Sequence, residues 1–316
     1  LEFDLANASL SAPAPATLGD LVDRFVARTS TSTGRTLSPA TARAYKSQLQ
    51  SLVAVAGRGR PIMHVTKAHV EAAVQRPASS RSRSQYLRAI RALVRWAVAR
   101  GWMVDITDGV VVDAGPTVIR PYLQPEEVEV MLAAASPSTR IRAGLILETG
   151  MRAGEAVHAT WEWVVRGIGR PSIRIPAADG AWRAKGRRAR SIPLSEAAQR
   201  WLDEARRVWP KTNWLLHDQP APPQTSNWCR DVHRACRRAG TTDVDTHGLR
   251  RTAGVRWLAA GLSIYDVSRL LGHASVVTTE RAYAGIADAS WASVMDRVDE
   301  AAEVPRLAAA RAKRRQ

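Results

Sequence analysis

Read for the spacing of its apolar residues, the chain divides into a helical first part, a break, and a mixed second part. Leu18, Leu21, Val22, Phe25 and Val26 recur at helical spacing behind Thr17, a residue type that caps helix N-termini. A second helix is predicted from Ser38 as N-cap, with Pro39 at the first helical position, to a stop at Gly57. A third follows Thr66, in TKAHVEAAVQR. A fourth, from about Ser79 to Arg100, has an apolar stripe of Tyr86, Ile90, Leu93, Val94 and Ala97, with Arg88, Arg91 and Arg95 along another face. Between Trp102 and Leu123 the pattern lapses. The breaks Asp108-Gly109, Gly115-Pro116 and Arg120-Pro121 mark an interdomain linker over 104–122.

Helical periodicity returns behind Pro125, where Glu126 and Glu127 suit a helix N-terminus. Ile141 to Ala159 reads as a buried helix interrupted at TGMRAGE. Short strands are expected at Trp161–Val165, Ser172–Pro176 and Ala189–Pro193, with Asp179-Gly180 as a turn, and helices again from Ser195 to Arg281. The fold class is therefore mainly α in two domains. A helical unit spans 17–103, and a mostly helical unit with a small antiparallel β-sheet spans 123–286. Residues 1–16 read as an Ala, Pro and Ser-rich leader. In 287–316, Trp291, Val294, Met295 and Val298 predict an amphipathic helix before a basic tail, to pack on its own domain or on another protomer.

Composition sharpens this picture in one respect. The 316 residues are 45% hydrophobic with eleven Trp, as a folded two-domain chain requires, and they carry a net charge of +17. A GC-rich genome also favours Arg, so the total alone decides little, but the charge is clustered. From Arg24 to Trp102 there are fifteen Lys or Arg and one acid, Glu71. With no acids interleaved on the fourth helix, paired surface charges do not account for its arginines. Clustered basic faces track phosphates. Arg43, Lys46, Arg81, Arg83, Arg88, Arg91 and Arg95, with Arg187 and Arg188 further on, are the candidate DNA contacts.

Cys229, Cys236 and His233 fall short of the four ligands of a closed zinc site, so no metal is expected and the thiols are taken as reduced. No apolar run approaches the roughly 18 residues that span a membrane, and LEFDLANASL lacks the pattern of a signal peptide. A cytoplasmic protein without membrane contact is expected.

The chemistry-bearing residues lie in five stretches: Arg152 in TGMRAGE, Lys185 in RAKGRRARSIPL, His247 and Arg250 in THGLRRT, His273 in LLGH, and Tyr283 in TTERAYAG. Singly, each has an ordinary explanation: an ion pair, a solvated lysine, a capping histidine, a core tyrosine. Their order and local context carry the signal. Over residues from about 17 to 285 the chain resembles the tyrosine recombinase family, also called the phage integrases. The resemblance implies that Arg152, Lys185, His247, Arg250 and His273 serve a scissile phosphate and that Tyr283 is the nucleophile. It further implies a 3′-phosphotyrosyl intermediate and a free 5′-hydroxyl, without cofactor or metal. The implied partners are a double-stranded DNA core site and three further copies of the chain in a homotetramer on synapsed DNA. A DNA-bending accessory or directionality factor is a further candidate.

Several positions depart from the family's pattern. His273 and Tyr283 are ten apart where many members have nine. Arg251 stands where many carry a second histidine, which argues against the chromosome-dimer-resolving branch. Arg187 and Arg188 rival Lys185 as proton donor. The small arm-site domain that many members carry is not expected before Thr17, being either absent naturally or removed.

Elementary chemistry fits these roles. Two guanidiniums offer planar, always-charged forks to the phosphate oxygens, each worth around 10² to 10³ in rate when preorganised. A phenol with a pKa near ~10 is only about one part in a thousand phenolate at neutral pH. It needs a base, for which His247 is the candidate, and a positive field from the arginines. Lys185 is the candidate acid for the leaving oxygen, and His273 would bond the phosphate or orient Tyr283. The other phenols, Tyr45, Tyr86, Tyr122 and Tyr265, do not follow an LGH stretch, and Tyr265 is expected to be structural. A recombinase that integrates or excises a mobile element is the reading that follows. Chromosome or transposon resolution, a single-chain relaxing topoisomerase, and a non-catalytic DNA-binding protein of the same fold are the alternatives. If the arginine faces meet phosphates, affinity for duplex DNA should fall steeply with ionic strength in a salt titration. A flat response would remove the basis for that assignment.

Overall fold

The computed structural model describes residues 13–28, 37–113, 115, 120–167, 169–180, 182–184 and 188–287. The expected leader up to residue 12, Lys185, Arg187, and the helix and tail after 287 lie outside them. The chain forms two compact units, Leu1–Val118 and Ile119–Gln316.

The first unit is built on α1 (Leu18–Ala27), α2 (Pro39–Ala56), α3 (Lys67–Gln75) and α4 (Ser80–Val98). Their ends follow local chemistry. The Thr17 hydroxyl accepts from the Asp20 N–H at 3.2 Å, and the Ser38 hydroxyl accepts from the Thr41 N–H at 3.1 Å. Gly57 closes α2 at φ +88°, donating to Val53 O at 2.9 Å. Phe25 is the centre of the core, edge-on to Tyr45 at 5.1 Å and to Trp96 at 5.6 Å, with the Arg28 guanidinium 3.4 Å from its ring centroid. Full burial of such a ring is worth about 1.5–3 kcal/mol, and each edge-on pair about 0.5–1.5 more.

On α4 the buried stripe runs through Leu87, Ile90, Leu93, Val94 and Ala97, while Tyr86 is only half-buried. Tyr86 and Leu87 both keep helical spacing with the stripe, and packing in the first unit's core selects Leu87. The expected linker also begins later than residue 104. Val110 is buried with the first unit's core, Ile106 and Val112 pack beside it, and Arg91 donates to Val110 O at 2.6 Å. Val110 and Val112 face this core, while Val111 between them is exposed.

The second unit contains α5 (Pro125–Ala134), α6 (Pro137–Thr149), α7 (Ala153–Ala156), α8 (Glu196–Val208), α9 (Thr225–Ala239), α10 (Thr246–Ala259), α11 (Ile264–Leu271) and α12 (Val276–Ala287). Its strands are β1 (Val164–Val165), β2 (Ser172–Ile175), β3 (Ala178–Asp179), β4 (Trp182–Arg183) and β5 (Arg190–Pro193). α6 buries Ile141, Ala143, Leu145, Ile146 and Leu147 between α8 and α10. β1, β2 and β5 form an antiparallel sheet in that order, with Ile173 opposite Ile192 and both against the core.

The strand expected from Trp161 starts only at Val164, because Trp161–Trp163 form a 3₁₀ turn. There Trp163 buries its indole and donates to Asp179 Oδ2 at 2.9 Å, fastening the β3–β4 hairpin. Mainly helical units with a small antiparallel sheet are the class read from the sequence. Among the described residues no helix is long and apolar enough to cross a membrane. Phe25→Ala should cost the first unit about 3–5 kcal/mol in urea denaturation, and Phe25→Leu less. A loss under about 1 kcal/mol for the alanine variant would remove Phe25 from the centre of that core.

Candidate active site

The site is assembled where three segments, with the strand β5, meet the end of α11. The first comes from α6, whose last turn closes at Gly150 in the left-handed region, φ +59°. The chain then reverses, buries Met151, and presents Arg152 at the start of α7. Glu155, 2% exposed, holds this corner. One oxygen accepts from the Arg152 backbone N–H and the other from its guanidinium, both at 2.8 Å. The same carboxylate receives both terminal nitrogens of Arg190, on β5, at 2.8 and 2.6 Å.

α11 ends at Leu271 with Gly272 in the left-handed region, leaving its last carbonyls without helical partners and its C-terminus partly negative. Arginines take three consecutive carbonyls there. Arg190 Nε donates to Leu270 O at 3.0 Å, Arg250 to Leu271 O, and Arg152 to Gly272 O at 2.8 Å. Arg250, 2% exposed, also donates to Gly150 O at 2.6 Å. A Cβ on Gly272 would lie 2.8 Å from the Arg190 side chain, so the approach requires glycine.

α10 supplies the second segment. Asp245 caps it, accepting from the Gly248 N–H at 2.7 Å. Arg251 donates to Pro121 O at 2.7 Å, and the Thr252 hydroxyl accepts from the Leu123 N–H at 3.0 Å, tying the chain ahead of α5 to this helix. His247 faces solvent beside them. The third segment is α12. Tyr283 is 4% exposed and packs with Val267 and Leu271. A Cβ on Gly254 would come within 2.1 Å of its hydroxyl oxygen, so α10 has a notch where the phenol lies. His273 uses Nδ1 against the Thr279 hydroxyl at 2.8 Å.

The electrostatics follow from crowding positive groups. Burial and then the Arg152 charge push the Arg250 guanidinium down to about 9, still charged at neutral pH. Loss of solvent, then Arg250 and Arg152, push His273 down to about 4. Loss of solvent, then Arg250 and Arg251, do the same to His247, to about 4. His247 is nevertheless exposed by surface area, so the arginine charges are the sturdier cause and a neutral ring is the firm result. Glu155 goes the other way. Burial alone would raise it, but Arg190 and Arg152 outweigh that and hold it at about 2. The phenol of Tyr283 is raised by burial, which outweighs the Arg250 and Arg251 charges. The positive field expected to activate it is present but does not prevail in this arrangement.

Of the residues expected from sequence, Arg152, His247, Arg250, His273 and Tyr283 converge in one place. Lys185 and Arg187 fall outside the described residues, and Arg188 is exposed. In the first unit Arg43, Lys46, Arg81, Arg88 and Arg95 are exposed. Arg83 is half-buried and donates to Pro77 O at 2.9 Å, and Arg91 is occupied by Val110 O. Tyr265, expected to be structural, is 66% exposed. The ligand-like trio disperses. Cys236 is buried, Cys229 lies 3.1 Å from the Thr246 hydroxyl, and His233 pairs with Asp243 at 2.7 Å. Sequence reasoning missed Glu155, Arg190 and Gly254. The first two stood inside TGMRAGE and RSIPL, but nothing local says that they pair.

Residues 121–290 match the model of the phage integrase family, and residues 30–101 match that of the phage integrase N-terminal SAM-like domain. This chain belongs to the phage integrase family. Among sequence relatives of this integrase-family chain, tyrosine recombinase XerC of Bifidobacterium longum (strain DJO10A) is 34% identical over 112 residues, 31% of this chain and 32% of that protein. Over that match the chain spans only about a third of the relative's length. XerC of Mycobacterium leprae (strain TN) is 27% identical over 290 residues, covering 82% of this chain and 92% of that protein. The fold is shared with a lambda integrase dimer bound to a COC' core site, at TM-score 0.70 and 18% identity over 89% of this chain and 80% of that one. It is also shared with XerH bound to difH substrate, at TM-score 0.60 and 18% identity, over 80% and 79%.

The shifts dictate an acid profile. Because His247 and His273 resist protonation when folded, stability should decline as pH falls from about 6.5 towards 4. Because Glu155 is depressed, its contribution is complete above 4.5 and is lost as pH falls towards 2, a change on the order of 3 kcal/mol. Denaturation midpoints against pH should show both declines. His273→Asn should soften the upper and Glu155→Gln the lower, and unchanged profiles in both variants would contradict the assignment.

Proposed function

We propose that this chain cuts and rejoins DNA strands at a specific core site, as a recombinase that integrates or excises a mobile element. The observation that carries this is the pair of guanidiniums, Arg152 and Arg250, seated on neighbouring carbonyls of one helix end with the Tyr283 phenol beside them. Mere DNA binding has no need of a phenol positioned next to two clamps.

In the proposed step, Arg152 and Arg250 hold the non-bridging oxygens of the scissile phosphate. The Tyr283 oxygen forms a bond to phosphorus as the bond from phosphorus to the 5′ oxygen breaks. The phenolic proton passes to His247, which is neutral and therefore able to accept it. A bound phosphodiester would strengthen that base, since its negative charge favours the imidazolium. Lys185 gives a proton to the departing 5′ oxygen. His273, with Nδ1 engaged by Thr279, turns Nε2 to the phosphate. The phosphotyrosyl bond retains the energy of the cut diester, so the free 5′-hydroxyl of a partner strand reverses the step without nucleotide or metal.

The assembly that fits this chemistry is a homotetramer on two synapsed duplexes in the cytosol, with the exposed arginines of the first unit and Arg188 on the phosphates. A lambda integrase tetramer bound to a Holliday junction is a structural neighbour. A DNA-bending or directionality factor is assigned to the synapse. A second reading, chromosome or transposon resolution, is supported by the XerC relatives. Arg251 speaks against it, being committed to Pro121 O where many members carry a second histidine.

A pool of nicked duplexes with a randomised core tests the reading. Covalent adducts that survive detergent should be recoverable, and sequencing them should yield a common core. Tyr283→Phe should give none while still shifting duplex DNA in a gel. Adducts formed by Tyr283→Phe would reassign the nucleophile, and no adduct from the wild type would refute the enzyme. Lys185→Ala should recover on a 5′-bridging phosphorothiolate, whose leaving group needs no acid. Without that recovery the acid is Arg187 or another group.

A further inference from the structure

Arg190 has no part in the steps above, yet its side chain, 10% exposed, is fully engaged inside the site. Both terminal nitrogens reach Glu155, at 2.8 and 2.6 Å, and Nε reaches Leu270 O at 3.0 Å. Its aliphatic portion lies where a Cβ of residue 272 would be, 2.8 Å away. Arg152 shares the Glu155 carboxylate with it and takes a carbonyl of the same helix end, Gly272 O, each at 2.8 Å. We propose that Arg190 is a positioning residue for strand cleavage, holding Glu155 and the end of α11 so that Arg152 keeps its free donors towards the phosphate. The inference rests on the recombinase reading.

The reasoning is geometric and electrostatic. A carboxylate beside one guanidinium prefers a two-pronged pair with it. Here Glu155 spends one contact on each of its oxygens to reach Arg190, so it meets the Arg152 guanidinium through a single oxygen. Remove Arg190, and Glu155 is released to take both prongs of Arg152, rotating that side chain away from the phosphate and cancelling its charge. The Leu270 contact adds a second restraint, because it fixes the turn from which Gly272 O is offered. A lysine at 190 would keep a positive charge but, as a single point donor, could not hold both oxygens and the carbonyl together. Placement errors of about 1 Å at a reacting centre cost about 10²-fold in rate.

The test uses one nicked duplex recovered from the randomised pool, with affinity read by gel shift and the first-order rate of adduct formation read at saturating DNA. Arg190→Lys and Arg190→Gln should leave Kd within about threefold, since the phosphate faces elsewhere are intact. The adduct rate should fall about 10- to 100-fold. If the loss runs through Arg152, adding Arg190→Gln to Arg152→Lys should slow the single variant little further, whereas an independent structural role would multiply the two losses.

A wild-type rate in Arg190→Lys, or multiplied losses in the double variant, would overturn the proposal while leaving the recombinase reading intact. If Arg190→Gln does not fold, Arg190→Lys, alone and with Arg152→Lys, decides. Loss of the fold in both would make Arg190 a stability residue and also overturn it. No adduct from the wild type takes down the recombinase reading and this inference together.

Discussion

The end of α11 bears the strain of the whole site. Arg152, Arg190 and Arg250 all converge there, and each is at least partly withdrawn from water. Two unit charges about 5 Å apart repel by about 3 kcal/mol at an effective dielectric near 20, so such a cluster does not form unaided. One carboxylate, Glu155, and three consecutive carbonyls at the negative end of a helix hold it. The opposition is deliberately incomplete. Three guanidiniums against one carboxylate leave the centre two charges positive, a surplus that attracts anions.

Tyr283 is governed by a different constraint. Gly254 lies four residues after Arg250, so notch and clamp share one face of α10 a single turn apart. A tyrosine hydroxyl in that notch is close to the guanidinium, yet it is buried and its phenol is raised. Proximity is thus built into α10, whereas activation waits on a change in what surrounds the oxygen. α10 acts as a ruler for the rest. Arg250, Arg251 and Thr252 each bond a different partner, Gly254 leaves room for Tyr283, and the Arg251 and Thr252 bonds to Pro121 O and Leu123 N–H fix where the helix lies. Catalytic groups on a braced helix hold their positions more closely than groups on a loop.

Much of this was legible in the sequence wherever a rule is local. Thr17, Ser38 with Pro39, and Gly57 gave helix ends, because capping depends on residues within one turn. The interruption at TGMRAGE was legible because glycine 150 must adopt a left-handed conformation there. Errors arose where two registers compete or tertiary packing overrides pattern. Tyr86 and Leu87 both continue an apolar stripe, and only the partner helices choose Leu87. Val110 looks like linker until Arg91 binds its carbonyl. Tyr265 looked structural by position and stands in solvent. The site residues were legible as a set because their motifs are ordered in the chain.

What no local rule supplies is the wiring between the motifs. Glu155 and Arg190 are 35 residues apart, and the arginines at 152 and 250 reach across 120 and 21 residues to adjoining carbonyls. Those pairings exist because β5 lies beside β2 in the sheet and packs against α11, while α10 and α6 pack together. The fold's task at this site is therefore narrow: to bring one helix end within reach of three guanidiniums that would otherwise repel one another. The motif residues provide the charges, and the packing decides how many remain unspent.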